Sequence, residues 1–342
     1  MTGPVPPTGP VPPTSRPAGR WSSPLAVSRQ TPPARLAGTW QQARPARIAA
    51  SLADALGRDP GGWLVAGSSG ELGRTTSRVR VIAGVELVLW RDGRGGLRAG
   101  PGACPHLGAS LDRCDVIDGQ LRCRWHGLPL GERARGDWVP HPAYDDGVLL
   151  WVRLPMPGEQ PRDSPRLPDR PTAAASVVGV ISRGVDCEPS DIIANRLDPW
   201  HGAWLHPYAF SDLTVDEAAS SVDRLVLDVS FRLSRWLAVP VRAEFACPDA
   251  RTICMTILSG EGAGSVVETH ATPVTGPGRH PARTVMTEAT IATSGRTGFA
   301  IARRLSRVVA AGVRHTAGRL WVDDLEYAAR TYHVRRRGLP PV

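Results

Sequence analysis

Four side chains in the first half of the chain are spaced to hold one inorganic centre. Cys104 and His106 flank a single residue, and further along Cys123 and His126 flank two. Two thiolates and two imidazoles suit a tetrahedral zinc ion. They equally suit a [2Fe–2S] cluster with both cysteines on one iron and both histidines on the other. Four ordinary buried side chains would account poorly for two Cys–His pairs so closely spaced. In the second half, the run Asn195-Arg196-Leu197-Asp198-Pro199-Trp200-His201-Gly202-Ala203-Trp204-Leu205-His206 places two histidines five positions apart. Joined by one carboxylate, they would make the three-ligand face that leaves positions open on a non-haem Fe(II) for oxygen and substrate. Five residues turn about 140° around an ideal helix, so both imidazoles reach one metal only on irregular backbone, which Pro199 and Gly202 permit. The competing reading is a helix whose histidines face solvent or core.

The flanking residues separate the two cluster types. Cys104-Pro105-His106-Leu107-Gly108 and Cys123-Arg124-Trp125-His126-Gly127 closely resemble the two ligand loops of Rieske proteins, each at a hairpin tip where glycine permits a tight turn. In the respiratory bc-type proteins each loop carries a further cysteine, and the two are bridged. Ala109 and Trp125 stand at those positions here, so the loops are similar to the oxygenase and ferredoxin branch. Cys114 belongs to neither motif and reads as a buried, inert thiol. The run from Asn195 to His206 is similar to the mononuclear iron motif of Rieske non-haem iron oxygenases, Asn-x-x-Asp-x-x-His-x-x-x-x-His. That resemblance implies His201 and His206 as iron ligands. It implies Asp198 as the carboxylate that orients a ligand histidine and links it to a Rieske centre, and Asn195 as a neighbour of the iron that does not ligate it strongly. It further implies a carboxylate ligand at the start of a C-terminal helix, which Trp321-Val322-Asp323-Asp324-Leu325-Glu326 matches. Asp324 is favoured, Asp323 is its close rival and Glu326 a distant one. A solvated acidic first turn, favoured by the helix dipole, competes for each of them.

These residues need a scaffold, and the chain offers one in parts. Residues 1–58 form a Pro/Arg-rich extension, expected to be mostly disordered, opening with the direct repeat Gly3-Pro4-Val5-Pro6-Pro7-Thr8 and Gly9-Pro10-Val11-Pro12-Pro13-Thr14. A short helix is expected at about 46–57, where Ile48, Leu52 and Leu56 share a face. From Trp63 the pattern turns to strands, such as Val79–Ile82 and Val85–Trp90, bounded by glycines and polar turns. Residues 59–155 would form the Rieske domain, 156–174 a proline-rich linker and 175–335 the catalytic domain. In the last region Leu225, Leu227, Val229, Phe231 and Leu233 alternate with mostly polar neighbours. So do Val241, Ala243, Phe245 and Cys247, while Val285, Thr287, Ala289 and Ile291 line one side of a third strand, as in antiparallel strands buried on one face. Ile301, Leu305, Val308 and Val309 repeat at helical spacing with Arg303, Arg307 and Arg314 on another face. A helix packed on the sheet with solvated arginines is preferred there over one lying on a membrane.

Composition narrows the function classes. The 342 residues are 42% apolar and 21% charged, enough for about two domains with real cores. The formal net charge is +9, from 41 arginines with no lysine against 32 acidic residues. Six of the arginines precede the first acidic residue, Asp54, so the folded body is nearly neutral and a nucleic-acid partner is not expected. No apolar run approaches the roughly 18 residues that span a bilayer, and no secretory cleavage pattern is evident. A cytoplasmic protein without a transmembrane segment is expected, in which six cysteines point to metal ligation rather than disulfides.

The resemblance covers residues 60–335 and identifies the oxygenase subunit of a Rieske non-haem iron oxygenase of the homotrimeric type. It implies an α+β fold, with a β-rich Rieske domain followed by a helix-grip domain of antiparallel sheet and helices. The implied cofactors are a Rieske [2Fe–2S] cluster and mononuclear Fe(II). The implied partners are a separate ferredoxin or reductase, O2, neighbouring subunits in a head-to-tail trimer, and a small, bulky apolar organic substrate. Hydroxylation is favoured over dihydroxylation, desaturation or demethylation. Leu128 departs from the aromatic residue many relatives carry after His-Gly. An electron-transfer protein with a vestigial second domain, and a zinc-bound interaction module, are the alternatives from other classes.

Overall fold

The computed structural model describes residues 25–27 and 39–338. The proline-rich repeat therefore lies outside the described residues. A two-residue strand β1 (Ala26–Val27) and two helices, α1 (Thr39–Gln42) and α2 (Pro45–Leu56), come first. Proline at the first turn of α2 loses no hydrogen bond the helix needs. Its Ile48, Leu52 and Ala55 then pack into the core of the C-terminal half. The helix expected at about 46–57 is α2, and the apolar spacing that makes it also gives it a surface to bury.

The Rieske part is three small antiparallel sheets. One joins β2 (Trp63–Ser68), β9 (Ala143–Asp145) and β10 (Leu149–Arg153) in the order β2-β10-β9. The second is the meander β3 (Arg78–Ile82), β4 (Val85–Arg91) and β5 (Leu97–Pro101), and the third is β6 (Val116–Ile117), β7 (Gln120–Arg122) and β8 (Pro129–Leu130). The β3–β4 turn places Ala83 and Gly84 at φ 50° and 80°, the twist that suits a two-residue hairpin. The middle strand β4 is buried on both sides. Leu87 and Leu89 meet Leu64, Leu150 and Val152, while Val88 and Trp90 meet Leu111, Leu121, Trp138 and the two loop cysteines. That double burial explains its unbroken apolar sequence.

The C-terminal part is an eight-stranded antiparallel sheet. Its strands are β11 (Val177–Val185), β12 (Phe210–Val215), β13 (Arg224–Arg232), β14 (Leu237–Asp249), β15 (Thr252–Gly260), β16 (Val266–Pro273) and β17 (Thr284–Ala292). They run in the order β11-β17-β16-β15-β14-β13-β12, with β1 paired to β14 through Ala26↔Ala238. One face holds the main core, with α3 (Pro189–Arg196) and the long α6 (Ser306–Arg336) across it. The expectation of one-sided burial fails at β17. Met286 enters the main core, whereas Ala289 and Ile291 pack on Trp63, Val65, Leu149 and Trp151 of the Rieske part. Leu233 lies beyond the end of β13 and is exposed.

A buried ion cluster ties the two parts and their connector together. Arg170 meets Asp146 at 2.9 Å and Glu268 at 2.6 Å, and Trp151 Nε1 donates to Asp146 at 2.7 Å. His270 lies 3.1 Å from Glu268.

The C-terminal helical segment packs on the sheet with solvated arginines, as expected, but through a different face. It breaks at Leu305 into α5 (Phe299–Arg304) and α6. Ile301, Leu305, Val308 and Val309 do not pack on the sheet; all four are exposed. The helix instead sits on β11 through Ala310, Val313 and Ala317, where Gly179 would bring an added Cβ to 2.8 Å from Val313. A close seat on small residues turns the bulky stripe outward.

Candidate metal centres

The two cysteine–histidine loops meet at the tip of the Rieske part. In each, the glycine amide closes the turn on the cysteine carbonyl: Gly108 N donates to Cys104 O and Gly127 N to Cys123 O, both at 2.8 Å. The glycines sit at φ 74° and 71°, a region that side chains resist. Cys104 and Cys123 are buried, and His106 and His126 are exposed with ring centroids 4.8 Å apart. Burial pushes the Cys104 thiol up, the backbone amides of His106 and Leu107 pull it down, and the neighbouring Cys123 thiol raises it again. Two sulfurs facing inward and two imidazoles facing outward are a donor set suited to the asymmetric two-iron cluster. Cys114 is buried outside both loops, and the six cysteines are all free.

The second centre is assembled on broken backbone. Helix α3 starts from a capping box made by Glu188 and Asp191. After Leu197 the chain passes through a single 3-10 turn, Pro199–His201, and a short helix α4 (Gly202–Leu205), with His206 at its end. The break turns both imidazoles the same way, with ring centroids 5.5 Å apart. Across from them Asp324 lies well inside α6, not in a first helical turn. Its Oδ1 is 3.0 Å from His201 Nε2 and 2.8 Å from His206 Nε2, and Asn195 Nδ2 approaches the same oxygen at 3.4 Å. The ligand-capable atoms of His201, His206 and Asp324 all lie within 4.8 Å of one another. His206 and Asp324 are almost completely buried. Three converging donors, two nitrogen and one oxygen, fit a divalent iron with open positions.

The carboxylates around this triad divide the work. Burial opposes charge on His201, but the neighbouring carboxylates of Asp198 and Asp324 outweigh it and push the imidazole up to about 9. Burial likewise opposes charge on Asp324, which His201 and His206 hold well below the usual carboxylate range. Asp198 Oδ2 is 3.7 Å from His201 Nδ1 and accepts from Tyr327 Oη at 3.3 Å. Asp198 Oδ1 and His201 Nδ1 are buried with no hydrogen-bond partner among the described residues. Asp323 reaches the opposite side, 3.4 Å from His206 Nδ1, and accepts from Tyr208 Oη at 2.7 Å. Glu326 is exposed. Burial first, then the adjacent carboxylate, pushes both Tyr208 and Tyr327 up to about 12.

Sequence reasoning passed over Tyr208, Tyr327 and a polar pair deeper in the core. Tyr327 lies one turn beyond Asp324, a signal that could have found it. The pair is Arg196, stacked on Phe245 and Trp321 at about 5.5 and 5.6 Å, and Glu288, which accepts from Trp321 Nε1 at 2.7 Å. Arg196 and Glu288 approach to 3.9 Å. Burial raises the Glu288 carboxyl, and Arg196 offsets part of that rise.

Comparison with known proteins follows the same division. Residues 62–151 match the Rieske [2Fe-2S] domain, and residues 156–339 match a family described as a domain of unknown function, DUF5914. The chain is 31% identical to the oxygenase component of chloroacetanilide N-alkylformylase from Rhizorhabdus wittichii, over 42% of this chain and 46% of that protein. It is 27% identical to the oxygenase component of dicamba O-demethylase from Stenotrophomonas maltophilia, over 42% and 46%. These matches span less than half the length of either relative. Among solved structures, dicamba monooxygenase bound to dicamba superposes with a TM-score of 0.60 at 17% identity, covering 83% of this chain and 91% of that one. The terminal oxygenase of carbazole 1,9a-dioxygenase from Novosphingobium sp. KA1 gives 0.52 at 14%, covering 88% and 90%. Both share the α+β architecture of a Rieske part and a large antiparallel sheet. The chain belongs to the DUF5914 family, carries a Rieske [2Fe-2S] domain, and shares its fold with the oxygenase structures above.

Proposed function

We propose that the chain is a terminal oxygenase that takes electrons from a separate ferredoxin or reductase and oxidises a C–H bond of a small organic substrate with O2. The observation that carries this reading is the position of Asp324 Oδ1, between two imidazole nitrogens in a buried site, in a chain that also presents Rieske loops. In the proposal Cys104, Cys123, His106 and His126 hold the cluster, while His201, His206 and Asp324 hold the iron. The bound metals supply one-electron transfer and activation of O2, and the protein supplies placement.

The exposed edges of His106 and His126 are where electrons enter. Asp198 and Asp323 fix the ring orientations of His201 and His206, each carboxylate being held in turn by a tyrosine. Asn195 stands at the carboxylate ligand without displacing it. In the proposal the chain assembles as a head-to-tail trimer in which a neighbour's cluster serves this iron. A structural neighbour is a complex of an oxygenase with a ferredoxin, which supports that class of donor.

For the substrate, the main core of the C-terminal part, to which Trp200 beside His201 and Leu325 beside Asp324 belong, is mostly apolar, with Met286, Phe245 and Trp321 among its other residues. Arg196 and Glu288 add one polar point, so a bulky apolar body bearing a single polar group fits best. The relatives are named for N-alkyl and O-methyl removal. Hydroxylation embraces that outcome: a hydroxyl placed on a carbon bonded to oxygen or nitrogen gives an adduct that expels the alkyl carbon as an aldehyde. The test uses reduced protein, O2 and a panel of methoxylated, N-alkylated and unfunctionalised aromatic compounds, with products read by mass. Gain of one oxygen or loss of an alkyl group is expected, and His201→Ala keeps the cluster's visible spectrum without forming product. Product from His201→Ala would remove the iron-ligand assignment.

A further inference from the structure

The outward stripe on α5 and α6 has no role in the proposed chemistry. Ile301, Leu305 and Val308 are 63%, 55% and 72% exposed, and Val309 continues the stripe. Lone exposed apolar residues need no explanation, but successive turns of a helix that turns its small residues to the sheet do. The charge around the stripe is one-sided. From Ala289 to Val322 the chain carries Arg296, Arg303, Arg304, Arg307, Arg314 and Arg319 and no acidic residue. Arg296 is paired with Glu261, and Arg319 stacks on Tyr208. Arg304, Arg307 and Arg314 are exposed and have no ion-pair partner among the described residues. Beside the stripe a hollow of about 390 Å³ is lined by Arg303, Arg304, Ser176 and Ser306; Ser176 donates its hydroxyl proton to Thr172 O and Arg303 one hydrogen bond to Ala174 O, which leaves Arg304, Ser306 and the other Arg303 protons to meet an anion.

We propose that this face docks on an anionic lipid bilayer, with Ile301, Leu305 and Val308 at the acyl boundary and Arg304, Arg307 and Arg314 on headgroup phosphates. The hollow seats one lipid phosphate. An apolar stripe flanked by arginines is the composition of helices that lie in the membrane interface. Protein interfaces take their register from charges of both signs, and the segment that carries this face offers one sign over 34 consecutive positions. Two copies meeting through the same face would set like charges against each other. The inference stands apart from the proposed chemistry; it brings the enzyme to apolar molecules dissolved in lipid.

The experiment is sedimentation of the full chain with vesicles of phosphatidylcholine, with and without phosphatidylglycerol, at low and high salt. Binding to the anionic vesicles alone, weakened by salt, is expected. Each arginine near such a surface strengthens binding about fivefold, so Arg304→Gln with Arg307→Gln lowers the partition coefficient by at least about tenfold. Ile301→Glu with Val308→Glu abolishes binding while thermal unfolding, cluster absorbance and oligomeric state stay as in the parent. No binding to anionic vesicles at low salt overturns the proposal, as does undiminished binding by the Ile301→Glu/Val308→Glu protein. A changed oligomeric state in that protein also overturns it, because the face would then be a contact between copies of the chain.

Discussion

The two candidate centres are built in opposite ways. The cluster loops are local: each donor pair sits within a few residues around a glycine turn, and the imidazoles end at the surface. The His201–His206–Asp324 triad joins His206 to a carboxylate 118 residues away and lies inside the core. The contrast follows the chemistry each serves. An electron arriving from another protein needs an exposed edge, and oxygen chemistry needs a dry, closed site where fixed dipoles act strongly. It also sets how each centre fails. The loops depend on backbone turns in a small β unit, and the triad depends on the packing of α3 and α6 against the sheet.

That contrast can be broken selectively. His201→Ala or Asp324→Ala should eliminate turnover and the mononuclear iron, leaving the visible spectrum of the cluster unchanged. Parallel iron analysis of Asp323→Ala, which should retain most of the metal, separates the two neighbouring carboxylates. Next in size is the join between the parts. Arg170→Met leaves Asp146 and Glu268 buried without their cation, a loss expected to cost ~3–5 kcal/mol in denaturant unfolding. A loss well under 1 kcal/mol would show that the cluster is not what holds the parts together. Asp198→Asn should keep both metals and lower turnover about 100-fold by disturbing His201. Unchanged reoxidation of the cluster in single-turnover measurements would remove its linking role. Tyr208→Phe deletes only the hydroxyl that holds Asp323, and about a tenfold weaker iron affinity is expected in metal-competition titrations.

Much of this design was legible in the sequence where the signal is local. The cluster loops and the two-histidine run depend on close spacing, and the irregular backbone at Pro199–Leu205 follows from Pro199 and Gly202. The carboxylate was narrowed to a segment by resemblance, and the structure sets Asp324 rather than Asp323 between the imidazoles. Tyr208 and the Arg196–Glu288 pair were not legible, because strand register and helix docking place them. The stripe from Ile301 to Val309 was misread for a related reason. Amphipathic spacing shows that a helix has two faces, but which face is covered depends on the surface beneath, here narrowed by Gly179. The helix at 45–56 shows the reverse case, a segment beside a proline-rich tail that still carries enough apolar surface to dock.

Two distinct iron sites on one polypeptide set the ratio of iron to acid-labile sulfide in the anaerobically purified chain. Three irons for every two sulfides are expected, falling to equal amounts in Asp324→Ala. Equal amounts in the parent protein, or zinc in place of iron and sulfide, would contradict the two-site arrangement.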